Sequence, residues 1–314
     1  MIIAVTGGTG FVGAGVVRAH LERGDDVRVL TRRESSPAPG GARLVRGDLS
    51  RGEIPGEFLR GADVLYHCAG ELRDERAMHA MHVDGTRRLL ERASGSVRRW
   101  VQLSSVGVYG PRRDGTITED TPEAPVGAYE RTKAESDVLV RAAGARGALD
   151  AVILRPSIVF GPEMPNRSLF ALLSAVDRGV FVFVGGKGAS ANYVPVENVV
   201  DALVLCGTAP AAAAGVFNLS AFTAMEDFVG IIAGALGRKP PRLRLPRRPL
   251  RAAARILGAV PRWPLSASRV DALSNRAVYS TARIESALGY RPLVTVEDAL
   301  VRTVAQWRGR GGAR

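Results

Sequence analysis

The chain opens with Met1-Ile2-Ile3-Ala4-Val5, a run of strand-forming residues, and passes at once into Thr6-Gly7-Gly8-Thr9-Gly10-Phe11-Val12-Gly13. Val12, Val16, Val17 and Leu21 then recur at helical spacing until Gly24 stops the pattern. Gly7, Gly10 and Gly13 divide three tasks: one permits a tight turn, one lets the backbone approach a pyrophosphate, and one allows the helix to pack close to the strand. The free N–H groups and positive dipole end of the helix complete a seat for an anion. An ordinary glycine-rich turn is the bland alternative, and the strand–turn–helix context weighs against it.

The alternation continues. Strands are expected over 27–32, 42–49, 63–70, 99–105 and 150–162, with helices over 82–93 and 129–143. Strands separated by helices give right-handed crossovers and a parallel sheet covered on both faces. Beyond Pro162 the rhythm changes to a helix over 169–178, a turn into a helix at YVPVENVVDALVLC, and a short strand at GVFNLS. The basic stretch 238–251 holds Pro240, Pro241, Pro246 and Pro249, which argue against a regular helix there, and an apolar helix is expected near 251–260. The expected organisation is a nucleotide-binding domain over 1–165, a smaller substrate-binding lobe over 166–308 that is partly interleaved with the sheet, and a disordered tail over 309–314.

Composition narrows the function classes. The 314 residues are 46% hydrophobic, yet no run of about 18 uninterrupted apolar residues suggests a membrane span. A start directly on a strand leaves no signal-peptide pattern, so a cytoplasmic protein is expected. Cys68 and Cys206 sit in apolar surroundings and read as buried thiols; His20, His67, His79 and His82 lack the spacing of metal ligands, so no metal site is expected. The net charge of +12 comes without a helix-turn-helix, zinc-finger or RNA-binding signature. Cofactor phosphates, an anionic substrate and solvated helix faces account for it, and neither a nucleic-acid nor a membrane partner is expected.

Nine fragments in one order carry a resemblance: TGGTGFVG (6–13), GDL (47–49), HCAG (67–70), HVDGT (82–86), SSVGVYG (104–110), YERTK (129–133), LRPSIVFGP (154–162), YVPVENVVDA (193–202) and LGYRP (288–292). With its G-x-x-G-x-x-G spacing, the chain resembles the short-chain dehydrogenase/reductase superfamily, in its extended branch of NAD(P)-dependent sugar-nucleotide epimerases, dehydratases and reductases. The fold this implies is α/β, a Rossmann-type doubly wound parallel sheet with a smaller C-terminal substrate lobe. The resemblance also implies cofactor contacts at Gly7, Thr9, Gly10, Phe11, Val12 and Gly13, at Asp48 and Leu49 beside an adenine, at Cys68, Ala69 and Gly70, and at Ser104, Pro156 and Ile158.

The second strand ends Thr31-Arg32-Arg33, without the acidic residue that holds the ribose hydroxyl of NAD. Guanidiniums suit a 2′-phosphate, so NADP is the expected cofactor, with NAD the alternative and a solvated loop the plain reading of the arginines. Tyr129 and Lys133 lie four apart on one helix face, where an ammonium near a phenol would favour phenolate. The resemblance implies Ser105, Tyr129 and Lys133 as the catalytic set, with Lys133 also holding the nicotinamide ribose. Val106 and Gly107 stand where dehydratases of this branch carry an Asp-Glu pair, which disfavours dehydration. Ile158 stands for a frequent Asn, Ala191 for a frequent Arg and His82 for the usual Asn, which weakens a simple hexose 4-epimerase reading. Ser105, Val106, Asn166 and Arg269 are the candidate substrate contacts, Arg269 as a diphosphate clamp or as a solvated helix residue. A keto-sugar reductase is the leading expectation. An NAD-dependent 4-epimerase, a reductase of a non-sugar ketone and an idle cofactor-binding module are the alternatives, and a homodimer is implied by the resemblance.

Overall fold

The computed structural model describes residues 1–32, 39–165, 168–257 and 266–312. Five strands come first: β1 (Ile2–Thr6), β2 (Asp26–Thr31), β3 (Arg43–Arg46), β4 (Val64–His67) and β5 (Arg99–Leu103). Asp150–Pro156 and Val216–Leu219 complete a seven-stranded sheet, all of it parallel. Its order runs Val216–Leu219, Asp150–Pro156, β5, β4, β1, β2, β3. The chain leaves β1 in one direction to build β2 and β3, then crosses back to build β4 on the other side. The β1–β4 boundary is therefore the switch point, and the ends of those two strands open a crevice there.

Alternate strand residues feed two cores. Helix α1 (Gly13–Glu22) and helix Val196–Thr208 cover one face, with Val5, Val16, Val29, Val101, Val199, Leu203 and Phe217 packed between them. Helices Gly85–Ala93 and Ala128–Ala145 cover the other, over Phe58, Leu65, Leu89, Trp100, Val140 and Ile153. A third core gathers the later helices Ser168–Asp177, Met225–Ala235 and Val296–Gly309 around Phe160, Leu173, Phe228, Ile232 and Leu300. The strand expected at GVFNLS joins the main sheet, and Ile284 and Tyr290 return to the first core, so late segments of the chain complete the early fold.

Several expectations need correction. The helix expected over 82–93 begins earlier, at Glu75, and runs in three pieces: Glu75–His79, a wide π-turn at Ala80–Asp84, and Gly85–Ala93. The basic stretch is helical from Arg247 to Leu257. Pro249 lies in its first turn, where a missing N–H removes no intrahelical bond. At the other end, 310–312 are tied back onto the last helix by Arg310 N–H to Gln306 O (3.1 Å), Gly311 N–H to Arg308 O (3.0 Å) and Gly312 N–H to Trp307 O (3.1 Å). Residues 313–314 lie outside the described residues.

The opening turn shows what its glycines are for. Gly7 has φ +68°, and a Cβ there would lie 2.7 Å from both Ala69 N and the Cys68 carbonyl oxygen. A Cβ on Gly13 would overlap the Gly7 carbonyl outright, whereas on Gly10 it would meet only Gly7 O at 3.1 Å. Gly8 is equally constrained, with Val29 Cγ1 2.8 Å from a Cβ, and its role is not visible in the G-x-x-G-x-x-G pattern. Gly13→Ala is expected to lower the unfolding free energy by about 3 kcal/mol, the upper range for overpacking, and Gly10→Ala by about 1 kcal/mol or less. Urea denaturation of the two variants side by side checks the order.

Candidate active site

Four segments converge on the crevice. The glycine turn follows β1, Cys68–Gly70 follow β4, Ser104–Ser105 follow β5, and Tyr129 and Lys133 come from helix Ala128–Ala145. Cys68 N–H donates to Thr6 O (3.1 Å) and Ala69 N–H to Thr6 Oγ1 (3.3 Å), so the β4 loop is stitched to the β1 end. Helix α1 begins with Val12 as its cap, without a side-chain capping bond and without an acidic residue in its first turn. Ala14 and Gly15 N–H already donate to Gly10 O (2.9 Å) and Val12 O (3.0 Å), so the amides of residues 11–13 are the ones open to an external acceptor. The Cβ-free cradle of Gly7 and Gly13 and this open helix start fit a dinucleotide pyrophosphate.

Ser105 is partly buried at the crevice. Its Oγ accepts from Gly107 N–H (3.0 Å), which caps a short turn, and the hydroxyl lies near enough to the Tyr129 phenol to lower it. Ser104 faces the other way: buried, it donates to Asp137 Oδ2 at 2.8 Å. Its hydroxyl is therefore turned into the protein interior, away from the crevice. Lys133 is 5% exposed and its Nζ donates to the Leu103 carbonyl at 2.5 Å. The expected lowering of the phenol by the lysine is not what the geometry gives. Burial pushes the Tyr129 phenol up to about 12, with Asp137 adding to the rise and the Ser105 hydroxyl opposing it. Burial also pulls the Lys133 ammonium below its ordinary value, with Asp137 and Cys68 opposing.

The other candidates divide clearly. Asp48 is half-buried, and its Oδ1 accepts from Ser50 N–H (2.9 Å) and Ser50 Oγ (2.7 Å). Burial alone would raise this carboxyl, but the Ser50 bonds and the charges of Arg32 and Arg51 hold it below the usual carboxylate range. Leu49 is packed in the second core, and Pro156 is buried at the end of its strand. Thr31 is buried at the β2 terminus, and exposed Arg32 follows it. Arg33 and Asn166 lie outside the described residues. Val106 is buried among Val108, Tyr109, Ile117 and Ala134, while Ile158 stands 42% exposed. Arg269 lies exposed on helix Ala267–Ala272, in the third part of the chain.

A buried charge network that the sequence reading missed lies beneath the site. Arg155, 1% exposed, donates to Asp137 Oδ2 (3.0 Å), to Glu123 Oε1 (2.5 Å) and to Tyr109 Oη (3.0 Å), and Tyr109 in turn donates to Asn218 Oδ1 (2.9 Å). Two signals were present. Asp137 is four residues beyond Lys133 on the same helix face, and Arg155 interrupts the apolar run DAVILRP. A charge inside a strand of that kind calls for a buried partner. His67 belongs to a parallel seam, with Nδ1 bonded to Thr6 Oγ1 (2.7 Å) and Nε2 to Thr86 Oγ1 (3.0 Å).

The profile of the NAD dependent epimerase/dehydratase family matches residues 3–220. The chain belongs to this family. It is similar to the low-salt glycan biosynthesis protein Agl12 of Haloferax volcanii, 33% identical over 60% of this chain and 67% of that one. It is 30% identical to the sterol demethylase protein B of Methylococcus capsulatus over 99% of both chains. Among solved structures it is similar to MoeE5 in complex with UDP-glucose and NAD, with TM-score 0.75 and 25% identity over 98% of this chain and 99% of that one. The seven-stranded parallel sheet and its crevice are thus those of an extended short-chain dehydrogenase/reductase. No helix among the described residues is long and apolar enough to cross a membrane, and no cluster of three metal-ligating side chains occurs among them.

The buried imidazoles give this family member a pH signature. Burial, with the Lys133 charge adding to it, pulls both His67 and His82 down to about 3. An unfolded histidine takes up its proton near pH 6.5, so the unfolded state binds more protons between about pH 6.5 and 3. Stability is full above that window and falls as the pH drops through it. The unfolding free energy is expected to be about 4 kcal/mol lower at pH 5 than at pH 7, about 2 kcal/mol per histidine. Urea unfolding at the two pH values checks this; buried His20, also held below its ordinary value by burial, adds in the same direction, and His67→Gln should remove about 2 kcal/mol of the difference.

Proposed function

We infer that this chain is an NAD(P)(H)-dependent oxidoreductase that reduces the keto group of a nucleotide-linked sugar. The observation that carries the reading is the meeting of Ser105, Tyr129 and Lys133 at the crevice between the β1 and β4 ends, beside the glycine cradle. Gly7, Gly10 and Gly13 with the α1 start would hold the pyrophosphate, and Cys68–Gly70 would line the nicotinamide half. Bound NAD(P)H supplies the hydride that a carbonyl carbon accepts. A phenol raised to about 12 stays protonated at neutral pH, so Tyr129 Oη is suited to give its proton to the carbonyl oxygen as charge develops there. Ser105, anchored by Gly107 N–H, is placed to steady the same oxygen. Lys133, on the same helix face and donating to the Leu103 carbonyl, would hold the nicotinamide ribose.

Substrate and cofactor readings rest on separate supports. The nucleotide-sugar class is supported by MoeE5 with its UDP-glucose and by the glycan biosynthesis relative. NADP as the preferred cofactor is supported by Arg32 following Thr31 where an acid would select NAD, although the structural relative holds NAD. Elimination of water is disfavoured by Gly107: a Cβ there would meet Glu130 Cγ at 3.1 Å, leaving little room for a carboxylate side chain. A non-sugar ketone is the second reading, favoured by the exposed Ile158 and by the full-length sterol demethylase relative. The protein would act as a homodimer, with the outward faces of helices Gly85–Ala93 and Ala128–Ala145 as the contact.

Specific ligands raise the melting temperature by mass action. In a panel of NAD, NADP and UDP-, dTDP- and GDP-sugars, NADP and one nucleotide-sugar class are expected to raise it together. Tyr129→Phe is expected to lower turnover of the responding keto-sugar by about a hundredfold or more while leaving the NADP shift in place. NAD retained through purification would favour an epimerase instead, and stabilisation by apolar ketones alone would overturn the sugar reading.

A further inference from the structure

His82 lies between the two halves of the crevice and makes a contact to each. It is 1% exposed, in the π-turn Ala80–Asp84. Glu71 N–H, just past the Cys68–Gly70 loop, donates to His82 Nε2 at 2.9 Å. A backbone amide has only a proton to offer, so Nε2 carries the lone pair and the ring proton sits on Nδ1. Nδ1–H then donates to Thr132 Oγ1 at 2.8 Å, and the Thr132 hydroxyl donates onward to the Ala128 carbonyl at 2.9 Å. The Tyr129 carbonyl lies 3.1 Å from the same hydroxyl, and the chain of bonds has a single direction. The imidazole also stands edge-on to the Tyr129 ring, with centroids 5.6 Å apart and planes at 83°. On the loop side the approach is equally tight, since a Cβ on Gly70 would lie 3.3 Å from Nε2.

We propose that His82, as the neutral Nδ1–H tautomer, is a positioning residue that fixes the Cys68–Glu71 loop against the first turn of helix Ala128–Ala145. It thereby sets the distance between the cofactor-side backbone and the Tyr129 phenol. This rests on the catalytic reading of Tyr129 given above. A protonated ring would have no acceptor for Glu71 N–H, so the bridge exists only while the imidazole is neutral. Burial and the Lys133 ammonium keep it neutral, against the opposing charge of Glu71. The Glu71 carboxylate is itself occupied, accepting from Leu72 N–H (2.9 Å) and Arg73 N–H (2.8 Å), so the loop is ordered on both sides of the bridge. The partners span 71 to 132 in the chain, which makes this a tertiary clamp and not a local turn.

The test uses the full-length protein without cofactor, then with NAD as the probe. Long-range 15N–1H spectra of the imidazoles are expected to show His82 as the Nδ1–H tautomer from pH 8 to pH 5; an Nε2–H tautomer or a doubly protonated ring would overturn the proposal. His82→Phe keeps an aromatic ring against Tyr129 and removes both hydrogen bonds. It is expected to speed hydrogen exchange at the Glu71 amide about tenfold, the loss of roughly one hydrogen bond, and to weaken NAD binding by a similar factor. His82→Gln, which restores an acceptor near the Nε2 position, should recover most of both. Unchanged Glu71 exchange and NAD affinity in His82→Phe would sink the bridge. If His82→Phe does not fold, Thr132→Val, which cuts only the far end, takes its place with a smaller rise in Glu71 exchange expected, and unchanged exchange there would equally sink the bridge. Tyr129→Phe separates the two readings: it should leave Glu71 exchange and NAD affinity intact while abolishing turnover. Normal turnover in that variant would defeat the catalytic reading, and the exchange and tautomer results would still decide the bridge.

Discussion

Backbone meets backbone at the mouth of the crevice, with no side chain between. A Cβ on Gly13 would overlap the Gly7 carbonyl, and one on Gly7 would press on the Cys68–Ala69 peptide. That contact brings the start of α1, the end of β1 and the end of β4 to one point. The sheet order then does the rest, because β1 and β4 are neighbours whose connections leave in opposite directions. Any residue added at these positions would push the helix start away from the strand ends. The anion seat and the loop that borders it would then separate.

Behind this opening the site rests on polar groups that have been withdrawn from water and for the most part paired inside the protein. Asp137 takes bonds from Ser104 and Arg155, and Arg155 also reaches Glu123 and Tyr109. A buried pair of this kind is costly to break because the surviving partner is left charged and unpaired. The arrangement explains why Lys133 is not simply a phenol-lowering cation. It sits between Asp137 on its own helix and the Leu103 carbonyl, and burial acts on it and on Tyr129 in opposite directions. The consequence is a phenol that stays protonated at neutral pH, the state from which a proton can be given to a carbonyl oxygen.

The alternation of strands and helices, the glycine turn and the Tyr129/Lys133 pair were legible because they repeat at fixed periods or follow one another within a few residues. Local chemistry that depends on distant partners was not. Ser104 and Ser105 are adjacent and identical in type, yet a strand end turns one inward to Asp137 and the other outward to Tyr129. The Arg155 network draws residues from 109 to 218, a span that no local pattern records. Pro249 misled because its position within a helix, and not its presence, decides whether it breaks one. The substrate side was least legible: Val106 proved buried, Ile158 exposed, and Arg33 and Asn166 lie outside the described residues.

We propose that the β1–β4 crevice holds a nicotinamide dinucleotide with its pyrophosphate on the glycine turn and its reactive ring beside Tyr129. A crystal structure of the protein with the dinucleotide bound tests it most directly. The pyrophosphate is expected against the backbone amides of residues 11–13, and the nicotinamide next to Tyr129 and Lys133. A dinucleotide bound elsewhere, or with its nicotinamide end turned away from Tyr129, would contradict it.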